Sequence, residues 1–149
     1  LHDALPIFIR PASVIGRGGK TLDETWATRP TAYYAMAIPE FPNFFLLNGP
    51  TGPVGNFSLI DIAEAQWGYV AQLIDRLKDG NARAVEPTKE AMADYEVRRI
   101  AAAKRTIFGS GCTSWYLDDT GVPSSWPWSY QDFVTAMEKP NYEDYRFAA

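Results

Sequence analysis

Phe41-Pro-Asn-Phe-Phe-Leu-Leu-Asn-Gly-Pro-Thr-Gly-Pro-Val-Gly-Asn56 is an apolar, aromatic run that breaks at Gly49-Pro50 into a loop with glycine at 49, 52 and 55. Residues 44–47 read as a short buried strand, and a long amphipathic helical pattern begins near Ser58. A strand, a glycine turn and a helix start in this order gather backbone N–H groups and the positive end of a helix dipole at one point. Such a point suits the anionic or electron-rich edge of a cofactor. A plain structural turn is the competing reading, because Gly/Pro loops between strand and helix are common.

Downstream of the loop, Leu59, Ile62, Ala63, Gln66, Val70, Leu73, Ile74 and Leu77 recur at three- and four-residue steps and make one helix face. Ser58 followed by Asp61 has the form of a capping box with Asp for Glu, and Asp79-Gly80 supplies the stop. A second helix is expected after Pro87, with a weaker stripe of Met92, Tyr95, Arg99/Ile100, Ala103 and Ile107. Its charged residues Glu96, Arg98, Lys104 and Arg105 read as solvated surface, and Gly109-Ser110-Gly111 as its end. Beyond it, residues 112–117 read as a strand, 118–121 as a hairpin turn and 122–128 as an irregular return held off a central strand position by Pro123 and Pro127. Ser129 caps a short helix carrying Phe133, Val134 and Met137.

Upstream of the loop, residues 8–14 are β-compatible and end in Gly16-Arg-Gly-Gly19, a tight turn needing positive φ or, more sharply, a phosphate-cradling loop. Residues 21–26 read as a brief helical or turn segment, and residues 32–38 as a strand or extended stretch. Leu1-His-Asp-Ala-Leu-Pro-Ile7 lacks an initiator Met, a cap and any periodicity, and matches one frame of a widely used sequencing-adaptor oligonucleotide. Residues 1–7 are therefore expected to be an adaptor-derived artefact, and His2, the only histidine, falls outside the fold reading.

The chain has 149 residues, 46% of them hydrophobic, with a net charge of −4, which allows a domain with a real core and argues against disorder. No basic stripe speaks for nucleic acid, and no apolar run is long enough to span a bilayer. The single Cys112 excludes an internal disulfide and fits a cytoplasmic location. With His2 set aside there is no Ser/His or Cys/His pair and no metal-ligand set, so the sequence assigns no catalytic residue and no metal. Asp118-Asp119 before a turn glycine reads as a turn rather than a cation site, and Cys112 as a small buried residue. No complete dinucleotide fingerprint or P-loop is present.

The order Gly16-Arg-Gly-Gly19, Leu22, Trp26, Pro39-Glu-Phe-Pro-Asn-Phe-Phe45 and Gly49-Pro50 resembles the C-terminal region of class B flavoprotein monooxygenases, the Baeyer–Villiger and flavin-containing enzymes. Gly111-Cys-Thr-Ser-Trp-Tyr-Leu-Asp118, Gly121, Pro123, Trp126-Pro-Trp128, Phe133 and Met137 are similar to their tail. The resemblance implies an α/β fold: the C-terminal part of a Rossmann-like flavoprotein with two dinucleotide-binding domains, ending in a β-hairpin and a short helix. Residues 8–80 would complete the FAD-binding domain, and residues 81–149 would carry the helix, Trp-rich hairpin and terminal helix. It implies FAD and NADPH as cofactors, a C4a-peroxyflavin as the oxygenating species, and O₂ and a small organic molecule as substrates. The residues it places at the flavin are Asn48, Gly49, Pro50, Thr51, Gly52, Asn56, Phe57 and Ser58. Both nucleotide-binding fingerprints, the family's His- and Trp-containing fingerprint and the arginine expected near the flavin are absent, so the chain alone is expected to be inactive. Two other readings are a fragment of a disulfide reductase or amine oxidase type flavoprotein, and a non-enzymatic interaction domain with an aromatic surface.

Overall fold

The computed structural model describes residues 12–53, 57–80, 82–109, 117, 118 and 120–149. Among the described residues there are four α-helices, three short 3-10 turns and one two-stranded sheet: α1 (Leu22–Thr25), α2 (Leu59–Asp79), β1 (Ala84–Pro87), α3 (Lys89–Ala103), α4 (Tyr130–Glu138) and β2 (Tyr145–Ala148), with the 3-10 turns at Arg17–Gly19, Ile107–Gly109 and Tyr142–Asp144. β1 and β2 pair antiparallel with Ala84 opposite Ala148 and Pro87 opposite Tyr145, bringing the end of the chain back beside the residues that follow α2. The sheet was not legible in the sequence, because each strand is only four residues long.

The helices start where capping chemistry dictates. Ser58 accepts from the Asp61 N–H at 3.3 Å, Thr88 from the Ala91 N–H at 3.1 Å and Ser129 from the Asp132 N–H at 3.1 Å. Thr21 with Glu24, and Ser129 with Asp132, form reciprocal capping boxes, and these bonds hold both carboxyls below their usual range. Pro87 ends β1 instead of opening α3, since Thr88 takes the cap and Lys89 the first helical position. α3 ends at Ala103, earlier than its glycine signal, and a separate 3-10 turn covers Ile107–Gly109.

α2 turns Ile62, Gln66, Tyr69, Val70 and Leu73 inward, where they meet Phe133 and Met137 of α4, Val85 of β1, Tyr95 of α3 and Tyr145 of β2. Each large apolar side chain so buried contributes about 1.5–3 kcal/mol. Tyr69 belongs to this face and Leu59, which the periodicity included, is 54% exposed. A smaller cluster of Leu22, Ala32, Ile38 and Phe41 lies under the N-terminal loops.

Residues 32–38 are not extended. The chain reverses there, with Tyr34 at φ 49° and Ala35 at φ 59° between an isolated Tyr33–Ala37 bridge. Nor do residues 44–47 form a buried strand: only Phe45 bridges, to Ala37, and Leu47 is 48% exposed. The apolar composition there reflects packing of turns on one another, a geometry that has no sequence period. The glycine cluster is a turn, as its composition suggested, with Gly18 at φ 66° and Gly19 at φ 82°. Its amides at Gly16, Arg17 and Gly19 donate to Lys20, Glu40 and Gly16 carbonyls, so they are committed to the fold rather than to a phosphate. At the expected 118–121 turn the Gly121 N–H donates to the Asp118 carbonyl at 2.9 Å, Leu117 bridges Pro123 antiparallel and Gly121 has φ 76°, while Asp119 lies outside the described residues. Residues 112–116 of the expected strand, Cys112 included, lie outside the described residues.

Candidate functional site

The glycine loop and the start of α2 are joined by two side chains. Gln66, on the second turn of α2's buried face, accepts the Asn48 backbone N–H on Oε1 at 2.7 Å and donates from Nε2 to the Tyr34 carbonyl at 3.2 Å. Asn48 in turn donates from Nδ2 to the Leu59 carbonyl at 3.0 Å. The loop is thus tied to the helix at both its first and second turns. The Gly49 N–H donates to the Ala35 carbonyl at 3.0 Å, and a Cβ at Gly49 would stand 2.4 Å from that same oxygen. Glycine at 49 is required by close approach of backbone to backbone.

The sequence-predicted residues Asn48, Gly49, Pro50, Thr51, Gly52, Phe57 and Ser58 are gathered at this end of α2, while Asn56 lies outside the described residues. Their roles divide. Asn48 and Gly49 spend their donors inside the fold, and the Thr51 hydroxyl, buried at 3% exposure, donates to the Pro50 carbonyl at 2.6 Å. Gly52 offers its carbonyl to the Trp126 N–H at 3.0 Å, and the Phe57 ring stacks on Tyr130 at 5.3 Å, so the tail is docked on both sides of the loop. Ser58 caps only Asp61. The N–H groups of Leu59 and Ile60, in residues 54% and 72% exposed, have no carbonyl four residues back within the helix. These amides and the positive end of a 21-residue helix fit an electron-rich cofactor edge; the side chains of Asn48 and Gln66 fit the task of holding it in place.

A second polar constellation lies away from the loop. Arg29 donates to Asp118 at 2.8 Å and to Glu96 at 3.3 Å, and Glu96 also receives the Arg99 guanidinium at 2.6 and 3.0 Å. Arg99, at 0% exposure, reaches on to the Pro123 carbonyl at 2.8 Å. Glu96 is therefore no solvated surface residue but the centre of an ion-pair chain fastening α3 to the tail. Asp118 is pushed up by burial, yet bonds from Thr120, Arg29 and the Val122 N–H outweigh this and hold it below the usual carboxylate range. Its three turn bonds support the reading of a turn over a cation site. An open cleft of about 500 Å³ beside this chain is lined by Thr25, Arg29, Lys89, Glu96 and Asp118, whose charges are already paired with one another or with Glu40. Among the described residues no group of three or more His, Cys, Asp or Glu could hold a metal ion, and no helix is long and apolar enough to cross a membrane.

Gln66 and Arg99 were missed as site-forming residues. The signal was present: each is a polar residue inside an apolar stripe, Gln66 between Ile62 and Val70, Arg99 between Tyr95 and Ala103.

Comparison with known proteins supplies what geometry alone does not. No family model matches the chain. An uncharacterized monooxygenase of Mycobacterium tuberculosis (strain ATCC 25618 / H37Rv) is 37% identical over 145 residues, covering 95% of this chain and 29% of the relative. The FAD-binding monooxygenase stcW of Emericella nidulans is 31% identical over 137 residues, covering 91% of this chain and 23% of the relative. Among solved structures, an oxidized steroid monooxygenase bound to NADP superimposes with a TM-score of 0.80 at 31% identity, over 91% of this chain and 26% of that one. A cyclohexanone monooxygenase from Rhodococcus sp. Phi1 bound to NADP+ shares the fold with a TM-score of 0.82 at 24% identity, over 99% of this chain and 29% of that one. The chain thus spans under a third of the length of the proteins it matches. Its likeness runs through nearly all of its own length, in both sequence and fold, as the resemblance read from the glycine loop and the Trp-rich tail implied. The chain is similar in sequence to named monooxygenases, FAD-binding ones among them, and in fold to steroid and cyclohexanone monooxygenases, and it corresponds to one segment of them.

Proposed function

We propose that this chain is the part of an FAD- and NADPH-dependent monooxygenase that closes one side of the flavin site. The observation that carries the reading is the loop at residues 48–52 clamped by Gln66 and Asn48 onto the start of α2. The clamp aims the helix's positive end, with the first-turn amides of Leu59 and Ile60, at the place where the flavin's pyrimidine edge would lie. A fixed dipole there would stabilise negative charge on the edge of a bound flavin without reorganising. Asn48, Gly49, Pro50, Thr51, Gly52, Asn56, Phe57 and Ser58 form the contact region in this reading. Residues 8–80 complete the flavin domain and residues 81–149 brace it through the tail.

FAD, when bound, would supply the activation of O₂ and the transfer of one oxygen atom to a small organic substrate, with NADPH as the source of electrons. The chain's own residues orient the cofactor and, through Trp126 and Phe57 packed against the loop, exclude water. The chain alone is inactive in this reading, because it contains no dinucleotide fingerprint.

The test is flavin stoichiometry. Joined to an upstream polypeptide carrying the two dinucleotide-binding motifs, the protein is expected to purify yellow with one FAD per chain. An extended protein that is colourless and cannot be reconstituted with FAD overturns the proposal.

A further inference from the structure

Among the described residues, Tyr33, Tyr34, Tyr69, Tyr95, Tyr145, Trp126 and Trp128 touch ring to ring without a break. Trp128 meets Trp126 with ring centroids 4.6 Å apart, and Trp126 meets Tyr34 at 6.2 Å. Tyr34 then contacts Tyr33 at 4.6 Å, with Tyr95 and Tyr69 alongside at 5.0 and 6.2 Å. The array touches the glycine loop at Trp126, whose backbone N–H donates to the Gly52 carbonyl at 3.0 Å. Farther along it, Tyr33 donates its hydroxyl to Asp144 Oδ2 at 2.7 Å.

That last bond separates Tyr33 from the other buried phenols. Among the described residues, Tyr145 and Tyr69 are bonded only to each other, at 3.1 Å, and the Tyr95 hydroxyl has no hydrogen-bond partner. A phenol that loses an electron becomes a strong acid and must shed its proton, so a buried phenol without a base is a poor resting place for the hole. Tyr33 has a base in place, and Asp144 is partly exposed and can exchange its proton with water. Burial, with the Asp144 bond second, raises the Tyr33 phenol well above its usual range, so it keeps its proton until the electron leaves.

We propose that the array is a one-electron oxidation path leading from Trp126 beside the glycine loop, through Tyr34, to Tyr33, with Asp144 as proton acceptor. A one-electron oxidant of the reactive-oxygen class, arising near the loop, removes an electron from the Trp126 ring and is itself reduced. The hole crosses to Tyr33 by way of the Tyr34 ring, which bridges the two without itself being oxidised and keeps its proton, and the Tyr33 hydroxyl proton moves to Asp144 as the neutral phenoxyl forms. A one-electron reductant of the thiol or ascorbate class returns the electron, and Asp144 returns the proton. The path gives stray oxidising equivalents an exit from the oxygen-handling site. The source of the oxidant rests on the monooxygenase reading; the path itself does not.

The probe is the full chain oxidised by flash photolysis of ruthenium tris-bipyridine with persulfate, read as tyrosyl radical by electron paramagnetic resonance. Tyr130 and Tyr142, outside the array, and Tyr116, which lies outside the described residues, are replaced by Phe in the reference protein. Tyr33→Phe and, separately, Asp144→Asn are each expected to lose most of the radical yield, and Trp126→Phe to delay its appearance. Asp144→Asn keeps every ring in place, so it tests the proton acceptor even where Tyr33→Phe disturbs folding. Undiminished radical yield in folded Asp144→Asn overturns the proposal. A colourless extended protein would sink the flavin reading and leave the photochemical result unchanged, so the two fail separately.

Discussion

Gln66 Oε1 lies 2.7 Å from the Asn48 backbone nitrogen, across 18 residues of chain, and its side chain is wholly buried. One amide thereby sets the position of the glycine loop relative to α2, because its other end is held by the Tyr34 carbonyl. Gln66→Leu keeps the volume and leaves both backbone groups without a partner. The cost is about 1–3 kcal/mol for each buried polar group left unsatisfied. Urea unfolding of the chain should show a lower midpoint with an unchanged slope, and an unchanged midpoint would deny the clamp.

Two glycines should respond to alanine with opposite signs. Gly49→Ala drives a methyl against the Ala35 carbonyl, which can move only with its backbone, and should destabilise by about 1–3 kcal/mol. Gly68 lies inside α2 with open space around its Cβ position, and Gly68→Ala should stabilise by roughly 0.5–1 kcal/mol. Thermal unfolding of the pair measures both, and stabilisation by Gly49→Ala would contradict the tight approach.

The ion-pair chain through Arg99 makes a stronger prediction. Arg99→Met strands Glu96 against Arg29 alone and leaves the Pro123 carbonyl without its donor. Removal of one partner from a buried pair costs about 3–5 kcal/mol. Loss of near-UV circular dichroism from the tail tryptophans should accompany it. A fully folded Arg99→Met with wild-type stability would show that the tail is held by Trp126 packing instead.

Glu86 carries the clearest pH dependence. Burial pushes its carboxyl up, but bonds from Arg146 and Arg17 (Nε to Oε1, 2.7 Å) outweigh burial and hold it below its usual range. The folded-state value is depressed, so the stability it contributes is present above the ordinary carboxylate range and is lost as pH falls through the folded value. Stability of the chain should decline in acid, and Glu86→Gln should flatten part of that decline. Identical pH profiles for the two proteins would rule Glu86 out as a contributor. Because Glu86 sits opposite Arg146 in the β1–β2 register, the loss should begin with fraying of that sheet.

The elements legible in the sequence are those with a local cause. α2 announced itself by a three- and four-residue apolar rhythm and by Ser58, α4 by Ser129, and the turns at Gly18 and Gly121 by glycine's freedom at positive φ. The family resemblance drew on the same short-range features together with the Trp-rich tail. Residues 32–38 and 44–47 misled because an apolar, aromatic composition fits a strand as well as a packed turn, and nothing local distinguishes them.

Local sequence sets where the long helix begins, where the chain must turn, and that a glycine loop precedes a helix N-terminus. Tertiary structure alone decided what those features are for. Gln66 looks like an interruption of an apolar stripe until Asn48 arrives from 18 residues away, and Glu96 looks like surface until Arg29 reaches it from 67 residues away. Likewise Tyr33 is one aromatic among many until the end of the chain brings Asp144 to its hydroxyl. A polar side chain's role depends on the partner that compensates its desolvation, and that partner is specified by the fold, not by the neighbours in sequence.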